Sequence, residues 1–138
     1  MADLPENVFA VDYAPHEWLF ARVAAVVHHG GAGTTAAGLR AGRPSVITPF
    51  FADQNFWGRR VHVLGAGPRP VPVQRLTTEQ LAAAIDTATR SPDMRQRAED
   101  LGRRLREENG VESGVAALER MVQEWPGWDP VRRRRRGA

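Results

Sequence analysis

At 138 residues the chain has the length of one ordinary domain. Its 42% hydrophobic and 25% charged residues are a globular composition, which excludes fibrous and disordered classes. The absence of cysteine excludes a disulfide scaffold, a zinc ribbon, an iron–sulfur site and a thiol nucleophile. No apolar run approaches the ~20 residues of a membrane span, and the polar, acidic start does not read as a secretory leader. A cytoplasmic protein is therefore expected. The formal charge of +3 is unevenly placed, because all nineteen basic residues are Arg and five form the run Arg132 to Arg136. Take those five away and +3 becomes −2, so the body is mildly acidic.

In chain order, Asn7 to Asp12 reads as a buried strand bounded by Pro5 and Pro15. His16 to Arg22 reads as a short helical turn with Trp18 and Leu19 on its apolar side. Val23 to Val27 is continuous and β-branched, the pattern of a strand covered on both faces. Glycines 30, 31 and 33 follow, then a helix from Thr34 to Ala41, stopped by Gly42 and Pro44. Ser45 to Thr48 is the next strand, and Asn55 to Leu64 the next helix. Pro68 and Pro72 exclude that stretch from a central strand. Thr77 and Gln80 form a capping-box pattern before a helix with Leu81, Ala84, Ile85 and Ala88 on one face. Ser91-Pro92 starts a helix to about Glu108, and a last one runs from about Glu112 to Trp125. Residues 126–138 read as a basic disordered tail. Strand and helix alternate, which predicts an α/β fold with a Rossmann-like parallel sheet and flanking helices over residues 1–125.

The chemistry concentrates in Val26-Val27-His28-His29-Gly30-Gly31-Ala32-Gly33-Thr34-Thr35. Small residues after a strand let backbone approach a ligand closely. The helix that follows offers unpaired N–H groups and the positive end of its dipole. His29, Thr34 and Thr35 add side-chain hydrogen bonds, so the turn suits a phosphate or diphosphate. A packing turn with no ligand is the plainer alternative. Gly31 to Ala36 also satisfies G-x-G-x-x-A with Asp53 some twenty residues on, as in a dinucleotide site. However, Asp53 follows Pro49-Phe50-Phe51-Ala52, in a loop and not at a strand end, so that reading is weaker. Adjacent histidines at a strand end diverge, which argues against a His28–His29 metal site. Taken alone, Asp53-Gln54 could be only a helix N-cap pair.

Together these segments resemble the C-terminal donor-binding domain of GT-B glycosyltransferases of the UDP-glycosyltransferase superfamily, nearest its sterol and macrolide branches. The residues that carry the resemblance are Tyr13-Ala14-Pro15-His16, Val27 to Thr35, Leu39-Arg40-Ala41-Gly42-Arg43-Pro44 and Pro49 to Gln54. It spans roughly residues 7 to 122. By position, the resemblance implies that Tyr13 stacks on the nucleotide base with His16 beside the base or ribose. It places His29, Gly31, Ala32, Gly33 and Thr34 on the diphosphate, and Asp53 and Gln54 on the donor sugar. The implied partner is a nucleotide sugar, UDP-glucose by similarity to the sterol branch, with no cofactor and no metal.

Two departures concern the nucleotide: Tyr13 stands where Trp is commoner, and Ala37 where many relatives have a ribose-binding Glu. A third concerns extent. Family enzymes are about three times longer, with an N-terminal acceptor domain carrying the catalytic His and Asp, and neither has a counterpart here. The resemblance also implies that the chain begins near the domain's third strand. Two missing strands would then leave a gap between Val8–Val11 and Ala25–Val27, to be filled by a partner chain or a second copy. The functional expectation is the donor domain of an inverting glycosyltransferase acting on a lipid, sterol or natural-product hydroxyl. The alternatives are a regulatory nucleotide-sugar-binding module or an inactive remnant. The arginine run could attract nucleic acid or anionic lipid, but the body offers no aromatic-lined basic face, so nucleic acid is not an expected partner.

Overall fold

A computed structural model describes residues 4–125. The chain order is α1 (His16–Phe20), β1 (Val26–His28), α2 (Ala32–Arg40), β2 (Ser45–Ile47), α3 (Gln54–Val63), a 3-10 turn at Val73–Arg75, α4 (Thr78–Arg90), α5 (Pro92–Glu107) and α6 (Gly110–Glu124). The chain divides into two units at Arg106/Glu107. The basic tail expected at 126–138 lies outside the described residues.

The first unit is built on β1 and β2, which pair in parallel with Val26 opposite Ser45 and His28 opposite Ile47. A parallel pair needs a crossover, and α2 supplies it. The apolar residues Leu39 (α2), Ile47 (β2), Val61 (α3), Ala66 and Ala98 (α5) form one core cluster, with Leu101 and Leu105 packed on it. β2 is buried at all three residues because its outer edge is covered: Ser45 N–H donates to Ala66 O and Val71 N–H to Ile47 O. The proline-rich stretch is thus a loop that lines an edge, as its prolines require.

Arginines tie helix ends to their neighbours. Arg43 donates to Phe20 O and Ala21 O at the end of α1, Arg40 to Leu105 O, and Arg106 to Arg40 O. These are carbonyls that a helix C-terminus leaves unpaired. The capping box is present in both directions, with Gln80 N–H on Thr77 Oγ1 and Thr77 N–H on Gln80 Oε1.

Several sequence expectations are corrected. Asn7 to Asp12 is neither strand nor buried: Phe9 is 85% exposed and Val11 68%. A β-branched run becomes a strand only where a ladder partner lies beside it, and among the described residues β1 pairs with β2 alone. For the same reason Val27 is exposed, and the Val23–Val27 run is not covered on both faces. In α1 the buried residue is Phe20, while Trp18 lies outside with the Arg22 guanidinium over its ring. α2 starts two residues earlier than the pattern suggests, at Ala32, so its first turn begins inside the glycine segment. On α4 only Ala88 is fully buried.

In the second unit α6 starts at Gly110, with Asn109 as its N-cap residue. Its apolar residues Val111, Val115, Leu118 and Met121 are exposed, as is its C-cap residue Trp125.

Candidate functional site: a glycine turn at a helix N-terminus

The turn between β1 and α2 is pinned at Gly30. Gly30 has φ +94°, and a Cβ there would lie 2.7 Å from Ile47 Cγ2 and 3.1 Å from Gln54 O. That position requires glycine both for its backbone conformation and for the close approach of β2 and α3. Next, a Cβ on Gly31 would fall 2.5 Å from Nε2 of His29, so the His29 ring lies over the Gly31 backbone.

Gly31 is the N-cap residue of α2 in an extended conformation, and no side chain caps the helix. The first intrahelical bond runs from Thr35 N–H to Gly31 O at 2.9 Å. The N–H groups of Ala32, Gly33 and Thr34 precede it and have no intrahelical acceptor. Ala32 and Gly33 are exposed, and open space surrounds the Gly33 Cα. Three amides without intrahelical acceptors and the positive end of the helix dipole thus start beside the exposed His29 imidazole, an arrangement suited to an oxyanion or diphosphate.

His28 and His29 diverge as adjacent strand-end residues must, with rings 6.3 Å apart and at 89°. His29 is exposed and His28 turns inward. His28 Nδ1 lies 3.0 Å from the Gly30 N–H, and burial, then the charges of His29 and His16, lower its pKa to about 4. Its Nε2 and the Thr35 Oγ1 are buried without a hydrogen-bond partner. The role of His28 was missed from sequence, although the two-residue period of a strand signals that one of two adjacent histidines faces inward.

The flank of α2 opens into a groove of about 560 Å³ that begins at Gly33 and continues along Ala36, Ala37 and Arg40, with Glu17 on its α1 side. Of the residues assigned to base and ribose, Tyr13 is 84% exposed, and His16 is exposed with its ring stacked on Phe20 at 4.6 Å.

The β2–α3 loop has a different character. Gln54 is 7% exposed, and its Oε1 accepts the N–H of Phe50 (2.8 Å) and Phe51 (3.2 Å). Ala52 is held at φ +53°, the one non-glycine residue with positive φ among those described. Asp53 is exposed, and its Oδ2 accepts the Trp57 indole N–H at 2.9 Å. Neither residue caps α3 through its side chain. Both side chains assigned to the sugar thus already have hydrogen-bond partners, Gln54 in the loop and Asp53 on α3. Among the described residues no group of three or more His, Asp or Glu is arranged to hold a metal ion, and no helix is long and apolar enough to cross a membrane.

This α/β arrangement is the fold of GT-B glycosyltransferases. It matches the spinosyn forosaminyltransferase SpnP at TM-score 0.80 and 25% identity, covering 90% of this chain and 33% of that one. It also matches the glycosyltransferase VinC in complex with dTDP at TM-score 0.76 and 31% identity, covering 86% of this chain and 30% of that one. A sterol 3-beta-glucosyltransferase of Arabidopsis thaliana is 48% identical over 118 residues, 86% of this chain and 19% of that protein. One of Aspergillus clavatus is 48% identical over 120 residues, 87% of this chain and 8% of that protein. The family profile described as erythromycin biosynthesis protein CIII-like, C-terminal domain, matches residues 1–115, and the chain belongs to that family. It spans a fifth or less of the length of these two curated relatives and about a third of the two solved chains.

Proposed function

We propose that the chain binds the nucleotide-sugar donor of an inverting glycosyltransferase, a UDP-hexose with glucose as the sugar, for transfer to a hydroxyl of a sterol, another lipid or a natural product. The observation that carries this reading is the uncapped N-terminus of α2 under the His29 ring. As a glycosidic bond to a diphosphate breaks, negative charge grows on the departing oxygen. Amides that are already oriented stabilise that charge without reorganising. Ala32, Gly33 and Thr34 N–H groups and His29 supply those donors, so no metal is required in this scheme. In this reading the nucleoside lies along the groove that runs from Gly33 past Ala36 and Ala37 to Arg40, and the resemblance assigns Tyr13 and His16 to the base and ribose and Asp53 and Gln54 to the sugar.

The names of the relatives favour the sterol class of acceptor, and the dTDP bound to VinC favours a pyrimidine nucleoside diphosphate. In this reading the catalytic base and acceptor pocket come from an acceptor-binding domain outside these 138 residues. Calorimetric titration of the 138-residue chain with UDP, UDP-glucose and dTDP tests the reading. UDP should bind, and His29→Ala should weaken it about ten-fold, the worth of one charge-assisted hydrogen bond. No heat with millimolar UDP would sink the proposal.

A further inference from the structure

Within the glycine turn the Gly30 N–H donates to Nδ1 of His28 at 3.0 Å. An N–H donor can be received only by an unprotonated nitrogen, so Nδ1 carries no proton and the ring hydrogen sits on Nε2. That bond spans two residues and closes the chain back on the end of β1, where Gly30 adopts its φ of +94°. The same residue sets the direction in which Gly31 and the first turn of α2 leave the sheet.

We propose that His28 is the positioning residue of the diphosphate site: as a neutral imidazole it latches the Gly30 N–H and so aims the amides of residues 32–34. The inference rests on the donor reading above, and adds to it that the latch opens in acid. Protonation puts a hydrogen on Nδ1, which turns an acceptor into a donor facing the Gly30 N–H. The titratable groups that bear on the ring are His29 on the same turn and His16 on α1, and both oppose its protonation. Burial opposes it more strongly, so the latch persists well below the ordinary histidine range, to about pH 4. The sign of the stability effect follows. The unfolded chain takes up the proton near pH 6.5 and the folded one only near 4, so folding is weakened progressively as pH falls across that interval.

Asn in place of His28 keeps an acceptor oxygen near the position of Nδ1 and cannot be protonated, whereas Leu keeps none. Three measurements on the 138-residue chain decide the matter. Long-range proton–nitrogen correlation spectra should show His28 with its hydrogen on Nε2 at neutral pH and titrating near 4. His28→Asn should hold UDP within about two-fold of wild type at pH 7, and His28→Leu should lose about ten-fold. Between pH 6.5 and 4 the wild-type chain should lose stability faster than H28N. A hydrogen on Nδ1 at neutral pH would overturn the latch, as would equal losses of affinity in H28N and H28L. The imidazole spectra decide the latch even if the leucine variant does not fold or UDP does not bind; absence of UDP binding would instead count against the donor reading.

Discussion

The glycine turn and the β2–α3 loop sit at the carboxyl ends of neighbouring parallel strands, and both carry residues assigned to the same donor. Their hydrogen-bond states differ. The turn satisfies one amide internally, through His28, and leaves those of residues 32–34 without intrahelical partners. In the loop, the Gln54 oxygen is occupied by two backbone N–H groups and the Asp53 carboxylate by the Trp57 indole. The turn therefore keeps unpaired donors at a helix N-terminus, where an anion is favoured. The loop is a shaped wall, whose Gln54 acts first on its own backbone and holds Ala52 in a conformation that a non-glycine residue adopts at a cost.

Substitutions sharpen this contrast. The largest effect is expected at Gly30, where alanine meets both an unfavourable backbone angle and the Ile47 methyl. Gly30→Ala should cost about 3 kcal/mol of stability in urea denaturation; a loss below about 0.5 kcal/mol would show that the turn is not fixed as described. Next comes Gln54→Ala, which strands the Phe50 and Phe51 N–H groups and should cost about 2 kcal/mol. It should leave UDP affinity nearly unchanged, because in the proposed arrangement the diphosphate lies at the glycine turn. Equal losses of UDP affinity from Gln54→Ala and His29→Ala would erase the distinction between turn and loop.

The two regions were also unequally legible in the sequence. The turn could be read because its causes are local: a β-branched strand, three glycines and a helix start within ten residues. Gln54 was assigned to the sugar by resemblance. Its bonds to Phe50 and Phe51 depend on a loop conformation, including the positive φ of Ala52, that no propensity specifies. The segment Asn7 to Asp12 failed for a third reason. Its β-branched and aromatic residues state only that it would suit a sheet, and whether a partner strand lies alongside is not local information.

The central claim is that the free amides at the start of α2 hold the diphosphate. Backbone amide spectra recorded while UDP is added to the isotope-labelled chain test it directly. The account predicts that the largest shift changes fall on Ala32, Gly33 and Thr34, with smaller ones at Phe50 to Gln54. Changes confined to the β2–α3 loop, with residues 32–34 unmoved at saturation, would contradict it.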